Sequence, residues 1–441
     1  MTRTFPAALA FCGATLAALP ALAAVDIQEV TTDAGYEAWL VQDETVPFVS
    51  LELLFEGGTS LDPEGQAGVT NLMVGLLEEG AGDRTAREFA AAQESLAASF
   101  SYDAGQDSVT VSARFLTENM DEAVALLRDS LAEPRFDEDA VERVRAQALS
   151  GLRSAQTDPS SIAERRASEE VFGDHPYAVP VAGTIESVTD LTRDDLVAAH
   201  EAAIAQDRVI IGAAGDISAD ELSELIDTLM ADLPAEGAER PGPADPTFDG
   251  SVRVEQFDTP QSVAIFGQPG IPRDDEDFFA AYVMNQILGG GGFEARLMEE
   301  VREKRGLTYG IYSYLANREN ADMMMGRVQS ANDRVAEAIE VIRDEWRRMA
   351  EEGATQDEVD QAKTYLTGAY PLRFDGNGAI ADILVGMQLH DLPIDYVETR
   401  NDKVEAVTRE DVNRVAAELL DPEKLSFMVV GQPEGLPAPT Q

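Results

Sequence analysis

The chain has one cysteine, three histidines and 33 lysines and arginines against 82 acidic residues in a length of 441. Each shortage removes a class of chemistry. The only thiol, Cys12, lies in an N-terminal apolar stretch, so the rest of the chain can form no disulfide, no thiolate metal site and no cysteine nucleophile. The histidines His175, His200 and His390 are scattered without metal-ligand spacing. His175 stands in the loop GDHPY, and His200 falls on a helix with no carboxylate–histidine pairing one turn away; such isolated histidines read as structural. No G-x-S-x-G elbow and no Gly-Lys-Ser/Thr phosphate loop occurs. The run Gly289 to Gly292 follows a helical pattern and has no lysine beside it, so it reads as a helix stop. The scarcity of basic residues leaves a formal charge of −49. That field repels phosphate backbones and anionic headgroups, which excludes nucleic acid and acidic membrane surfaces as partners. Disorder is excluded as well, since 44% of residues are hydrophobic and 26% charged. The acidity reads as a solubility or salt adaptation.

Several organised features are present. Arg3 leads into an Ala/Leu-rich run that ends at Ala21-Leu22-Ala23, the pattern of a cleaved signal peptide over residues 1–24. No later stretch approaches twenty apolar residues, so the mature chain is expected to be exported to the periplasm without a membrane span. Residues 233–250 (LPAEGAERPGPADPTFDG) are dense in Pro, Gly and acid and read as a flexible linker. It separates an N-terminal domain, 25–232, from a C-terminal domain, 251–441. The two domains end alike: Leu191-Thr192-Arg193-Asp194-Asp195-Leu196 and the strand Arg208 to Gly215 recur 216 positions later as Val407 to Val412 and Lys424 to Gly431. Alternating runs at Val49 to Phe55 and Val263 to Gly267, and long amphipathic stretches at Asp137 to Ser154 and Asn332 to Glu352, complete an α+β reading. It predicts two homologous domains, each an antiparallel-rich sheet with helices on one side, forming a clam shell.

The most informative segment is Phe293-Glu294-Ala295-Arg296-Leu297-Met298-Glu299-Glu300-Val301-Arg302-Glu303-Lys304-Arg305-Gly306-Leu307-Thr308-Tyr309. It predicts a helix from about Phe293 that stops at Gly306, with Lys304 and Arg305 in the last turn. A strand follows in which Leu307, Tyr309 and Ile311 alternate. Arg302 and Tyr309 can then converge across one corner; equally, Arg302 can cap helix carbonyls and Tyr309 can fill the core.

The layout resembles the insulinase/pitrilysin family of inverted-motif zinc peptidases, in particular its small bacterial members and the mitochondrial processing peptidase. The likeness covers nearly the whole mature chain: VPFVSLELLFEGG, SLDPEGQAGVTNLM, GDHPYAVPVAGT with ESVTDLTRDDL, and GGGGFEARLMEEVREKRGLTYG. It implies that Arg302 and Tyr309 are the Arg/Tyr pair that reaches from the second domain into the active site. The family's H-x-x-E-H motif, two zinc ligands and a general base on one helical face, aligns with Asn71-Leu72-Met73-Val74-Gly75. Asn71, Val74 and Gly75 cannot do that chemistry, so the zinc motif is degenerate. Gly75, read as interior to the helix, costs it about 1 kcal/mol. Downstream glutamates such as Glu164 and Glu169, in the region of the third ligand, have nothing to complete. The resemblance therefore implies a chain without metal, inactive alone, that brings Arg302 and Tyr309 to the peptide substrate of a homologous H-x-x-E-H partner. In that heterodimer zinc belongs to the partner, and the edge strand at about Ser99 to Ala104 is vestigial. An alternative is a non-catalytic scaffold or peptide-binding subunit; a weaker one is a self-sufficient peptidase with unusual ligands.

Overall fold

The computed structural model describes residues 26–292 and 294–438; the signal-peptide reading and Phe293 lie outside them. The first half contributes β1 (Gln28–Thr31), β2 (Glu37–Gln42), β3 (Phe48–Glu56), a minimal hairpin of β4 (Gly80–Ala81) and β5 (Arg84–Thr85), then β6 (Ser99–Ala104), β7 (Ser108–Leu116) and β8 (Val209–Gly215). The hairpin apart, these form one sheet in the order β1-β2-β8-β3-β7-β6. The second half contributes β9 (Val252–Gln256), β10 (Gln261–Pro269), β11 (Thr308–Arg318), β12 (Ala321–Ala331) and β13 (Ser426–Gly431), ordered β11-β12-β10-β13-β9. Read from the β9 edge, the second sheet repeats the first from β2 to β6, and among the described residues the only parallel pair in each is the equivalent one, β2 with β8 and β9 with β13. The internal repeat of the sequence is thus a repeat of topology.

Helices in the first half are α1 (Val69–Val74), α2 (Ala86–Ser95), α3 (Met120–Ala132), α4 (Glu138–Ala155), α5 (Pro159–Phe172), α6 (Ile185–Asp190), α7 (Arg193–Ala203) and α8 (Ala219–Met230). Those in the second are α9 (Phe278–Gly289), α10 (Val335–Glu352), α11 (Gln356–Ala369), α12 (Asn377–Leu389), α13 (Tyr396–Ala406) and α14 (Arg409–Leu419). Repeated sequence makes repeated caps. Thr192 and Asp195 close a capping box on α7, and Thr408 and Asp411 close the same box on α14, each satisfying amide groups that the first turn leaves without partners. The period of two in β3 turns Val49, Leu51, Leu53 and Phe55 inward against α1, α3 and α7, in a core with Leu72, Leu127 and Leu196. The second core is built likewise from Phe266, Met284, Ile342 and Trp346.

The opposite face of each sheet is also covered, by a helix of the other half. Helix α5 lays Ile162 and Ala163 on Val263 and Val430 of the second sheet. Helix α12, 218 positions after α5, lays Ala381 and Leu384 on Val41 and Ala214 of the first. Gly212 permits this approach, because a Cβ there would stand 2.7 Å from the Ala381 carbonyl oxygen. The linker has no helix or strand, yet it is tied down rather than loose. Ala238 and Ala244 donate to the carbonyls of Ala202 and Asn320, Thr247 to that of Val171, and Arg240 pairs with Glu56 and Glu319.

Candidate functional site

Helix α1 begins at Gly68, held at φ +85° with its N–H donating to Asp62 at 2.6 Å. Gly68 and Gly183 meet backbone to backbone: a Cβ on Gly68 would lie 2.7 Å from the Ala182 carbonyl oxygen. That contact brings the loop GDHPYAVPVAGT onto the start of the helix. The helix ends at Val74, earlier than the sequence suggested. Gly75 is its C-cap, at φ −66°, so the cost of a mid-helix glycine does not arise there. Asn71 is half-buried, Val74 is buried in the core with Leu72 and Met73, and Gly75 is exposed. An amide, two methyl groups and a bare backbone offer no zinc site. The neighbouring helix α4 presents Val144, whose Cγ1 lies 3.4 Å from where a Cβ of Gly75 would be. Glu164 and Glu169 are on α5 and serve otherwise: Glu164 binds Arg327 of β12 at 2.9 Å, and Glu169 binds Arg165 and Arg166 at 2.7 and 3.1 Å. The region named for the third ligand therefore belongs to the packing of α5 against the second sheet. Among the described residues no group of three His, Cys, Asp or Glu side chains could hold a metal ion.

Two histidines are structural. Nε2 of buried His200 bonds the Leu131 carbonyl at 2.7 Å. His175 accepts from the Tyr177 N–H through Nδ1 at 3.2 Å, and its Nε2 lies 3.1 Å from the Gly242 carbonyl of the linker.

Arg302 and Tyr309 are set by two local irregularities. The predicted α-helix is a π-helical turn over Met298–Glu303, with the Lys304 N–H donating to the Glu299 carbonyl five residues back; such turns concentrate at functional sites. Glu300, 6% exposed, anchors the turn by accepting from Lys304 at 2.6 Å and from Arg305. Gly306, at φ +61°, ends the turn as expected, while Leu307 donates to Val301 and Gly306 to Arg302. Arg302 is half-buried with Nε 3.4 Å from the Glu303 carboxylate.

The second irregularity is a β-bulge. Thr308 pairs with Ser330 and Ile311 with Val328, so Tyr309 and Gly310 oppose Gln329 alone. The Thr308 hydroxyl fixes the bulge by donating to the Gln329 carbonyl at 2.6 Å and accepting from the Gly310 N–H at 3.1 Å. The extra residue breaks the expected alternation: Ile311 is buried, whereas Tyr309 is 86% exposed. Tyr309 is therefore no core residue. Beyond the bulge Tyr312 and Tyr314 face outward, with ring centroids 6.1 Å apart. They line a cavity of about 990 Å³ between α5, residues 179–185 and the edge of the second sheet. Sequence reading passed over both tyrosines, although the Tyr-x-Tyr spacing after Ile311 carries the signal.

Two homologous α+β domains, each covered by a helix of the other, with a metal-motif helix that has lost its ligands and a tyrosine displayed on the second domain's edge strand, define a zinc-less two-domain peptidase homologue. The family comparison agrees. Residues 38–185 match the model described as insulinase (peptidase family M16), and residues 190–366 match the peptidase M16 inactive domain. A solved structure of a peptidase M16 inactive domain from Pseudomonas fluorescens is 30% identical, with TM-score 0.86, covering 94% of this chain and all of that one (100%). The non-peptidase homolog YmxG of Helicobacter pylori is 27% identical over 391 residues, 88% of this chain and 90% of that protein. A chain of complex III2 from Candida albicans shares the fold, with TM-score 0.73 at 15% identity over 94% of this chain and 97% of that one. The chain belongs to the insulinase (peptidase M16) family, as an inactive member without zinc.

Proposed function

We propose that this protein is the zinc-less subunit of an exported two-chain peptidase and completes the active site of a homologous subunit that carries H-x-x-E-H. The observation behind this reading is Tyr309, held out of the core by the Thr308 bulge, in a chain whose metal-motif helix has no position that can bind zinc. In the shared site the Tyr309 hydroxyl donates a hydrogen bond to the scissile carbonyl as its oxygen becomes negative; one such donor is worth about 10²- to 10³-fold in rate. Arg302 holds the peptide backbone or a carboxylate through charge-assisted hydrogen bonds. The peptide itself adds to an edge strand of the zinc-bearing subunit. The equivalent strand here, β6, is the edge of its own sheet. The test is peptide cleavage by the reconstituted pair. Tyr309→Phe is expected to lower kcat about a hundredfold with the pair still assembled, and an unchanged rate overturns the catalytic role.

The tyrosine-lined cavity favours a second reading, a subunit that holds peptide without assisting hydrolysis. On that reading the partner cleaves equally well with or without this chain. Export to the periplasm rests on the N-terminal run of residues 1–24, and is tested by sequencing the N-terminus of the protein recovered from a periplasmic fraction.

A further inference from the structure

Far from Tyr309, at the other end of β11, positive charge gathers around four aromatic rings. Nine residues of strand, about 30 Å, separate Tyr309 from Arg318, where Asn317 ties the chain to the Ile271 carbonyl at 2.7 Å. Two residues after Ile271 comes Arg273, its guanidinium 5.3 Å from the Phe278 ring. Arg400 forms the floor. It is 5% exposed, 4.6 Å from the Tyr370 ring and 5.5 Å from that of Tyr282, and it donates to Leu366, Asn401 and the Tyr282 hydroxyl. Lys403 stands 5.3 Å from the ring of Tyr396. Burial pushes the Tyr370 and Tyr396 hydroxyls up, while the charges of Arg273, Arg373 and Arg400 all act on both in the opposite sense. The geometry links these groups: Arg400 lies against the Tyr370 ring, Tyr370 opens the turn that ends at Arg373, and Arg273 and Tyr396 line one cavity.

This grouping runs against the composition. Acids outnumber bases 82 to 33, yet among the described residues Arg273, Arg373, Arg400 and Lys403 have no carboxylate ion-pair partner. Like charges brought together without counterions repel, so the arrangement is suited to an anion. An adjoining cavity of about 990 Å³ is lined by Arg273, Phe279, His390, Tyr396 and Lys403. Several acids on its rim are already engaged: Asp277 by Arg414, Glu56 and Glu319 by Arg240, and Asp322 by Asn317. Asp274, Asp275, Glu276, Asp391 and Asp411 line the cavity as well, so acids outnumber bases in that lining and an incoming anion is left the approach through Arg373, which lies outside it. There the turn Tyr370–Arg373 presents Leu372, 77% exposed, directly before Arg373. Arginine is enriched in protein-binding hot spots, and Leu372 adds exposed apolar surface beside Arg373.

We infer that this patch docks an acidic segment of a partner protein, carboxylates meeting Arg273 and Arg373 and an apolar side chain covering Leu372. The inference stands whether or not the chain assists hydrolysis. It is tested on the purified full chain by fluorescence anisotropy with a labelled peptide of alternating Glu and Leu, and with its counterpart in which Lys replaces Glu. The Glu peptide is expected to bind despite the −49 charge of the chain and to weaken as salt rises. Arg273→Gln with Arg373→Gln is expected to weaken it at least tenfold, and Leu372→Ser to weaken it less. Arg373→Gln alone, at an exposed position, keeps the fold and is expected to give part of the loss. Tighter binding of the Lys peptide, no binding of the Glu peptide, binding indifferent to these substitutions, or displacement of the peptide by inorganic pyrophosphate each overturns the inference.

Discussion

Glu52 lies where α12 of the second half covers the first sheet, and it makes that contact sensitive to pH. The carboxyl is 7% exposed, opposite Gly212 and Ser112 in neighbouring strands. Burial is the main cause that pushes its pKa from 4.5 up to about 7; Asp382 of α12 and Asp103 add to the rise, and the hydrogen bond from Ser112 at 2.8 Å opposes it. The folded-state value therefore lies above the unfolded one. Below pH 4.5 both states hold the proton and Glu52 costs nothing. Between pH 4.5 and about 7 the unfolded chain ionises first, and stability falls with rising pH. Above that range the cost is constant. A difference of about 2.5 pH units at about 1.36 kcal/mol each gives about 3 kcal/mol as its upper bound. Glu52→Gln keeps the size and an acceptor for Ser112 but cannot ionise. Urea unfolding of both proteins should show no difference near pH 4, and a variant more stable by up to about 3 kcal/mol near pH 8. A stability difference that does not change with pH, or a variant less stable at the alkaline end, refutes the argument.

Two further outcomes test the framework around the site. Gly68→Ala places a Cβ 2.7 Å from the Ala182 carbonyl in a left-handed backbone, and is expected to cost about 1–3 kcal/mol, read as a lower urea midpoint with unchanged slope. Arg296, 5% exposed, grips Glu358 through two hydrogen bonds of 2.6 and 2.9 Å. Burial alone would raise the Glu358 pKa, but Arg296 and Thr355 overcome it and hold the carboxyl at about 2. Arg296→Ala should therefore destabilise by about 3–5 kcal/mol at neutral pH. The penalty should shrink as pH falls from 4.5 towards 2, where the wild-type protein loses the same stabilisation.

What the sequence made legible was whatever is decided locally. Thr192 and Thr408 mark equivalent helix starts because a capping box needs only residues three apart, and the pair revealed the duplicated domain. The loss of zinc chemistry was equally plain, since valine and glycine have no ligand atoms in any fold. Tyr309 was half legible. The family resemblance pointed to it, but the bulge that exposes it depends on a hydrogen bond from Thr308 to Gln329, 21 residues away, which strand periodicity cannot show. The helix end at Val74 and the partners of Glu164 and Glu169 were hidden for a similar reason. The reciprocal covering by α5 and α12 left the weakest trace. Ala381 and Leu384 say that α12 is buried, and nothing in their spacing says that the surface burying them lies in the other half.

That covering has a consequence for how the molecule is to be thought of. Each half lends one helix and borrows one, so neither half is a complete folding unit. The arrangement is that of a domain-swapped dimer written into a single polypeptide, in which residues 233–250 replace free diffusion by a high effective concentration. The outer faces of both sheets are thereby closed from within the chain, and a partner must be met by what remains open: the edge strands, the cavity between the halves and the surface patches.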